Sequence, residues 1–265
     1  MSDADAGVDL ERRFGGLRRL HGDAAYARIR AAHVVVIGVG GVGSWAAEAL
    51  ARSGVAALTL IDLDHVSESN VNRQVQALGS TLGMAKVAAL KMRIADIHPG
   101  CAVEGVEEFV DDGNWPGLLS RPADGVVDAC DNVRAKAAIA AWALATKAHL
   151  VVVGAAGGKR AAERVETGDL FVVTHDPMLA ALRQRLRKFH GAPRLGPLGV
   201  HCVFSREPVG APATDEPVPA TDGSLNCHGY GSSVTVTATF GFVAAGRAIE
   251  LLTSHDARAQ RPVAL

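Results

Sequence analysis

Closely spaced glycines, Gly38, Gly40, Gly41 and Gly43, follow the β-branched run Val34-Val35-Val36-Ile37 and precede the Ala/Leu-rich segment Trp45 to Ala51. Glycines at that spacing suit phosphate chemistry. Without side chains the backbone comes close to an anion, and the first free N–H groups and positive end of the following helix face it. Asp62 ends the next apolar run, Leu58 to Ile61, 19 residues beyond Gly43, where a carboxylate meets a ribose hydroxyl. Spacing alone also fits a dinucleotide fingerprint, so an NAD-dependent oxidoreductase is one reading. Asn70, Arg73 and Lys86 downstream, with Asp131-Asn132 after a later strand, favour attack on ATP. Charge on leaving phosphates is neutralised by cations and magnesium, for which hydride transfer has little use. Taken singly, Arg73 and Lys86 are ordinary surface cations; their value is joint.

These residues need a scaffold that brings strand ends together. Val34–Ile37 reads as a buried parallel strand, Leu58–Ile61 as a second, Ala102 to Val110 as a third, Gly125 to Asp131 as a fourth and Leu150 to Gly154 as a fifth. Helical patterns alternate with them: the segment after Gly43, Lys86 to about Ile97, and Ala135 to Ala148. Such alternation predicts an α/β fold, a Rossmann-like doubly wound and mostly parallel sheet, with ligands at the carboxyl ends of the strands. Residues 9 to 30, rich in arginine, predict an amphipathic helical lead-in, and residues 63 to 74 a loop over the pocket. Beyond Gly158 the pattern is less regular: a strand over Val165 to Thr174, a basic helix from Asp176 to Phe189 and a long apolar helix ending near Leu252. A Pro-rich stretch at 207–224 predicts a surface loop. The whole is expected to be one domain over 1–265, with a nucleotide-binding core at about 27–160 and a substrate and dimer part at about 161–265.

At 265 residues, 48% hydrophobic and 21% charged, the chain can bury a full core. A net charge of −1 argues against a coat on nucleic acid and leaves room for a local basic patch, for which Arg183, Arg185, Arg187 and Lys188 are candidates beside a plain solvated face. The four cysteines contain no Cys-x-x-Cys pair, which disfavours a disulfide framework or a thiolate zinc site and fits a cytoplasmic protein. The acidic N-terminus has no apolar signal region. The apolar stretch Val234 to Gly246 is interrupted by Arg247 and Glu250 short of the ~20 residues a bilayer needs, so no membrane anchor is expected. Asp128 reads as structural, Asp131 as the better metal candidate, Cys130 as a small buried residue and Cys227 as a less favoured sulfur-transfer thiol.

The segments GVGGVGSWAAEALARSGV, LIDLDHVSESNVNRQ, GMAK and DACDNVRAKA resemble the ubiquitin-activating-enzyme-like (ThiF/MoeB-type) adenylating superfamily. RRFGGLRRLHG, DPMLAALRQRLRK, LGVHCVFSREP and SSVTVTATFGFVA are similar to its tRNA threonylcarbamoyladenosine dehydratase branch, and the resemblance covers nearly the whole chain. It implies the activating-enzyme fold, ATP and Mg2+, and a reaction on tRNA carrying threonylcarbamoyladenosine: the carboxylate is adenylated, pyrophosphate leaves, and the ring closes to the cyclic form. It further implies a homodimer and a possible sulfurtransferase or cysteine desulfurase partner. Carried over residue by residue, Gly38, Gly40, Gly41 and Gly43 line the phosphates, Asp62 and Asp64 lie at the nucleotide, and Asn70, Arg73 and Lys86 contact phosphates. Asp131 matches the magnesium ligand. The superfamily often supplies an arginine from the neighbouring subunit's N-terminal helix; the register here places Gly16 there, and Arg13 nearby is assigned that part. The competing readings are activation of a sulfur-carrier protein's C-terminus and, from another class, a catalytically silent partner of a heterodimer. The missing Cys-x-x-Cys pairs count against the first, and the intact acid and cation set against the second.

Overall fold

A computed structural model describes residues 8–210 and 230–254. Its centre is a seven-stranded sheet in the order β3-β2-β1-β4-β5-β7-β6, with β1 His33–Ile37, β2 Ala57–Ile61, β3 Ala102–Val106, β4 Gly125–Asp128, β5 His149–Val153, β6 Val165–Asp169 and β7 His201–Ser205. Neighbours pair in parallel except β6, which runs antiparallel to β7 at one edge. The expected mostly parallel α/β sheet is therefore observed.

β1 is buried on both faces, which is why it reads as an unbroken β-branched run. Its side chains alternate: Val34 and Val36 enter the core shared with α3 (Gly43–Arg52), α4 (Lys86–Ile97) and α7 (Val234–Thr253). Val35 and Ile37 enter the opposite core with α5 (Val133–Thr146) and α6 (Pro177–Phe189). Two helical layers thus enclose the sheet. By length and composition α7 could cross a membrane, yet Val236, Phe240, Ala244, Ala248 and Leu252 of that helix are buried in the first core, so its apolarity serves packing.

Several element limits differ from the sequence expectation, each for a local reason. The N-terminal segment is two helices, α1 (Leu10–His21) and α2 (Asp23–Ala31), broken at Gly22, whose φ of 80° no helix continues through. β3 stops at Val106 and β4 at Asp128, so residues 107–110 and 129–131 leave the sheet and turn over its carboxyl edge. β6 likewise ends at Asp169 rather than continuing toward Thr174. The sequence reading missed β7, a five-residue strand inserted between β5 and β6.

Candidate functional site

At the carboxyl edge of β1, β2, β4 and β5 lies a cavity of about 590 Å3. It sits where the strand order reverses across β1 and β4, the place where open α/β sheets bind ligands. Gly38 leaves β1 with φ of 78°, and a Cβ there would lie 2.9 Å from the Cys130 backbone nitrogen; only glycine lets the β1 and β4 exits pass this closely. Gly40 and Gly41 line the cavity. Among the described residues no side chain caps the start of α3; its Ser44 N–H turns back to the Gly40 carbonyl at 3.1 Å, and the positive end of the helix faces the cavity side of the turn.

Gly43 departs from its expected part. It is buried in the first turn of α3 and is not among the lining residues; a Cβ on it would overlap the Gly38 carbonyl. The missing side chain lets the start of α3 pack against the Gly38 carbonyl.

Asp62 is buried at the end of β2, where one carboxylate oxygen accepts from the Val39 N–H at 2.8 Å and the other from the Asp64 N–H at 3.0 Å. Burial pushes its pKa above the ordinary value, and Lys86, 3.8 Å away, opposes that shift. Lys86 enters from the first turn of α4 and forms a 2.6 Å ion pair with Asp64. The two carboxylates hold a nearly buried ammonium at the cavity wall. Asn70, also buried, accepts from the Ser67 N–H and so shapes the turn beside the cavity. Arg73 donates to the Ser69 carbonyl and to Asn72, while its own carbonyl accepts from the Trp45 indole; its stem lies against Gly41.

Asp131 is exposed, lines the cavity and makes no hydrogen bond or ion pair among the described residues. Beneath it, Asp128 accepts from the Cys130 N–H at 3.2 Å and pairs with Lys136 at 3.1 Å; both paired side chains are 0% exposed. Burial works against the Lys136 ammonium, but its neighbours, Asp128 foremost with Cys130 and Asp176 behind it, together leave the pKa above the ordinary value. The structural reading of Asp128 fits this contact, which anchors the loop carrying Asp131.

Arg13 does not reach the cavity of its own chain. Its guanidinium donates to the Ile97 carbonyl at 2.6 Å and to that of Asp96 at 3.3 Å, closing the carboxyl end of α4. Burial pushes the Cys101 thiol up to about 11 and those of Cys130 and Cys202 upward as well, so none of these is a ready thiolate. Cys227 and residues 211–224 of the expected loop lie outside the described residues.

Residues 12–264 match the family model described as the ThiF family. The chain belongs to this family. Curated relatives carry the narrower description tRNA threonylcarbamoyladenosine dehydratase. One from Escherichia coli strain K12 is 42% identical over 93% of this chain and 95% of its own length. Another, from Haemophilus influenzae, is 40% identical over 92% and 94%. The crystal structure of the E. coli dehydratase in complex with ATP superposes with a TM-score of 0.83 at 41% identity, covering 97% of this chain and 98% of that one. These end-to-end matches place the chain in the dehydratase branch of the ThiF family.

Within that family frame, the wall takes in Phe109, Ala155 and Met178, to which the sequence reading gave no part, beside Gln74 of the expected loop over the pocket and Gly154 of the expected strand-end edge. Gln74 is buried beside Gly40; Phe109 comes from the segment after β3 and Met178 from α6. Gly154 and Ala155 follow β5, where buried Asp176, the N-cap of α6, accepts from the Ala155 N–H at 2.9 Å. The Asp-Pro before an amphipathic run announced that cap; the other contacts depend on chain crossings that no local pattern records.

Proposed function

We infer that this chain catalyses the ATP-dependent dehydration of N6-threonylcarbamoyladenosine in tRNA to its cyclic form. What carries the reading is a cavity with an acid and a cation set for a triphosphate in a chain that matches tRNA threonylcarbamoyladenosine dehydratases over nearly all its length. The threonyl carboxylate attacks the α-phosphate of ATP and pyrophosphate leaves. A nucleophilic group of the same nucleoside then attacks the acyl carbon and AMP leaves with the carboxylate oxygen, so the net loss is one water. Because the second nucleophile is internal, its effective concentration is high and no enzyme thiol is needed. That suits the raised thiol pKa values.

The cavity residues supply binding and charge. Gly38, Gly40 and Gly41 with the uncapped start of α3 receive phosphates, and Asp62 and Asp64 face the ribose side. Asn70, Arg73 and Lys86 stabilise charge that grows on the departing pyrophosphate. Asp131, exposed and without a partner among the described residues, fits a hard cation that takes one or two carboxylates and completes its shell with phosphates. Mg2+ held there would neutralise the leaving group.

The arginine helix α6 gives a tRNA surface on fewer residues than its sequence offers. Arg183 donates to the Leu170 and Val173 carbonyls and Arg187 to those of Pro193 and Arg194, so both clip the fold. Arg185 and Lys188, flanking the exposed Phe189, are the pair that faces a phosphate backbone.

A homodimer follows the reading of Arg13 as a group donated to a neighbouring cavity, at the cost of its contact with α4; the test is light scattering, where twice 27.5 kDa is expected and a mass of 27.5 kDa refutes it. A tRNA substrate points to the cytoplasm. The reaction is tested by mass spectrometry of nucleosides from tRNA carrying threonylcarbamoyladenosine after incubation with the protein, ATP and magnesium. A species lighter by one water, formed only with ATP, is expected. ATP binding without that species moves the reading to adenylation of a carrier protein.

A further inference from the structure

Thr237 carries a hydroxyl that none of the described residues uses. The residue is 1% exposed, its Oγ1 has no hydrogen-bond partner among the described residues, and it lines the nucleotide cavity. A buried donor left unpaired destabilises the fold, whereas valine of the same shape would not, so the sequence retains a polar group at a stability cost. The position is built as well. Thr237 and Gly241 lie one turn apart on the same face of α7. A Cβ at Gly241 would stand 2.5 Å from the Val42 carbonyl oxygen and 2.8 Å from the Trp45 Cβ, so this glycine lets α7 press onto the turn that starts α3. Its consequence is that the Thr237 methyl comes to 3.3 Å from a Cβ position on Gly41, with the Arg73 Cδ also at 3.3 Å. The Thr237 methyl and the Arg73 stem therefore flank Gly41 where phosphates are received, with the enclosed hydroxyl on the same Cβ as that methyl. The nearby amino end of α7 adds favourable potential for an anion.

We propose that the Thr237 hydroxyl donates a hydrogen bond to an anionic oxygen at the reacting end of the cavity, from an ATP phosphate or from the carboxylate that attacks it. This rests on the adenylation reading above and adds a substrate-contacting residue from the C-terminal helix. The test compares Thr237→Val and Thr237→Ser with the wild-type full chain in three measurements: Tm, ATP affinity by calorimetry, and pyrophosphate release with tRNA carrying threonylcarbamoyladenosine. Thr237→Val is expected to keep or raise Tm while slowing pyrophosphate release about tenfold or more, the size of a lost hydrogen bond to a charged group. Thr237→Ser is expected to stay near wild type. Weakened ATP binding in Thr237→Val assigns the contact to phosphate; unchanged ATP binding with a lower kcat assigns it to the carboxylate. Wild-type rates and affinity in Thr237→Val overturn the proposal, as does a Tm that falls in both variants in step with activity. If the wild-type chain binds ATP but releases no pyrophosphate, the proposed reaction fails. In that case only weakened ATP binding in Thr237→Val sustains the contact, and unchanged binding overturns it.

Discussion

One carboxylate at the cavity, Asp131, has no partner to lose among the described residues, and this makes it a clean probe of chemistry. Asp131→Ala is expected to abolish pyrophosphate release while shifting stability by less than about 0.5 kcal/mol, the usual range for an exposed substitution away from structural contacts. Near-normal release from a well-folded variant removes Asp131 from the reaction. Lys86 stands in contrast: it shares its ammonium between Asp64 and Asp62, so replacing it disturbs both charge and fold. At this scale much of the site was legible in the sequence. Gly38, Gly40, Gly41, Asp62, Asn70, Arg73, Lys86 and Asp131 all meet at the cavity, because strand ends and the turns after them converge whenever strands lie parallel. Gly43 was misread because spacing alone does not say which glycine faces a ligand and which faces another carbonyl. Thr237 was out of reach, since nothing near it in the chain announces that its helix returns to the first glycine turn.

The helices are joined to one another by few but well-placed charges. Glu48 of α3, 4% exposed, accepts from Arg93 of α4 and from Arg52 on its own helix. Burial raises its pKa, but the two arginines outweigh that and leave it below the ordinary 4.5. A depressed carboxylate contributes stability that is present above the unfolded pKa and lost as pH falls through the folded one. Glu48→Gln is thus expected to cost about 1–3 kcal/mol near neutral pH, as for loss of a hydrogen-bonded charge. The gap from wild type should close below about pH 4.5. A gap that stays constant between pH 7 and pH 3.5 in denaturant titrations refutes the linkage. Element positions were mostly readable from periodicity, and the misses have physical causes. β7 is short and lies spatially between strands that precede it in sequence, so its existence depends on pairing with β5 rather than on its own pattern. The predicted extensions of β3 and β4 failed because apolar residues there line a cavity instead of continuing the pleat.

Taken as a whole, the molecule is nearly neutral, so attraction to RNA has to be local. The double variant Arg185→Glu, Lys188→Glu is expected to weaken tRNA binding and flatten its salt dependence, with Tm little changed. Arg183→Glu should instead lower Tm, because that guanidinium holds the Leu170 and Val173 carbonyls. Filter binding across a salt series separates the two; equal affinity for wild type and the double variant makes α6 a plain surface. Under the same cavity, the fully enclosed Asp128–Lys136 pair shapes how this fold tolerates drift. Removing either charge strands the other, at about 3–5 kcal/mol, whereas replacing both with apolar residues of similar volume costs far less. Denaturation of Lys136→Met, Asp128→Leu and the double variant should therefore show strong positive epistasis, with near-additive losses counting against it. A single substitution at either position therefore meets a stability barrier that a paired change avoids, so the ground under the nucleotide cavity resists stepwise drift although neither residue lines the cavity.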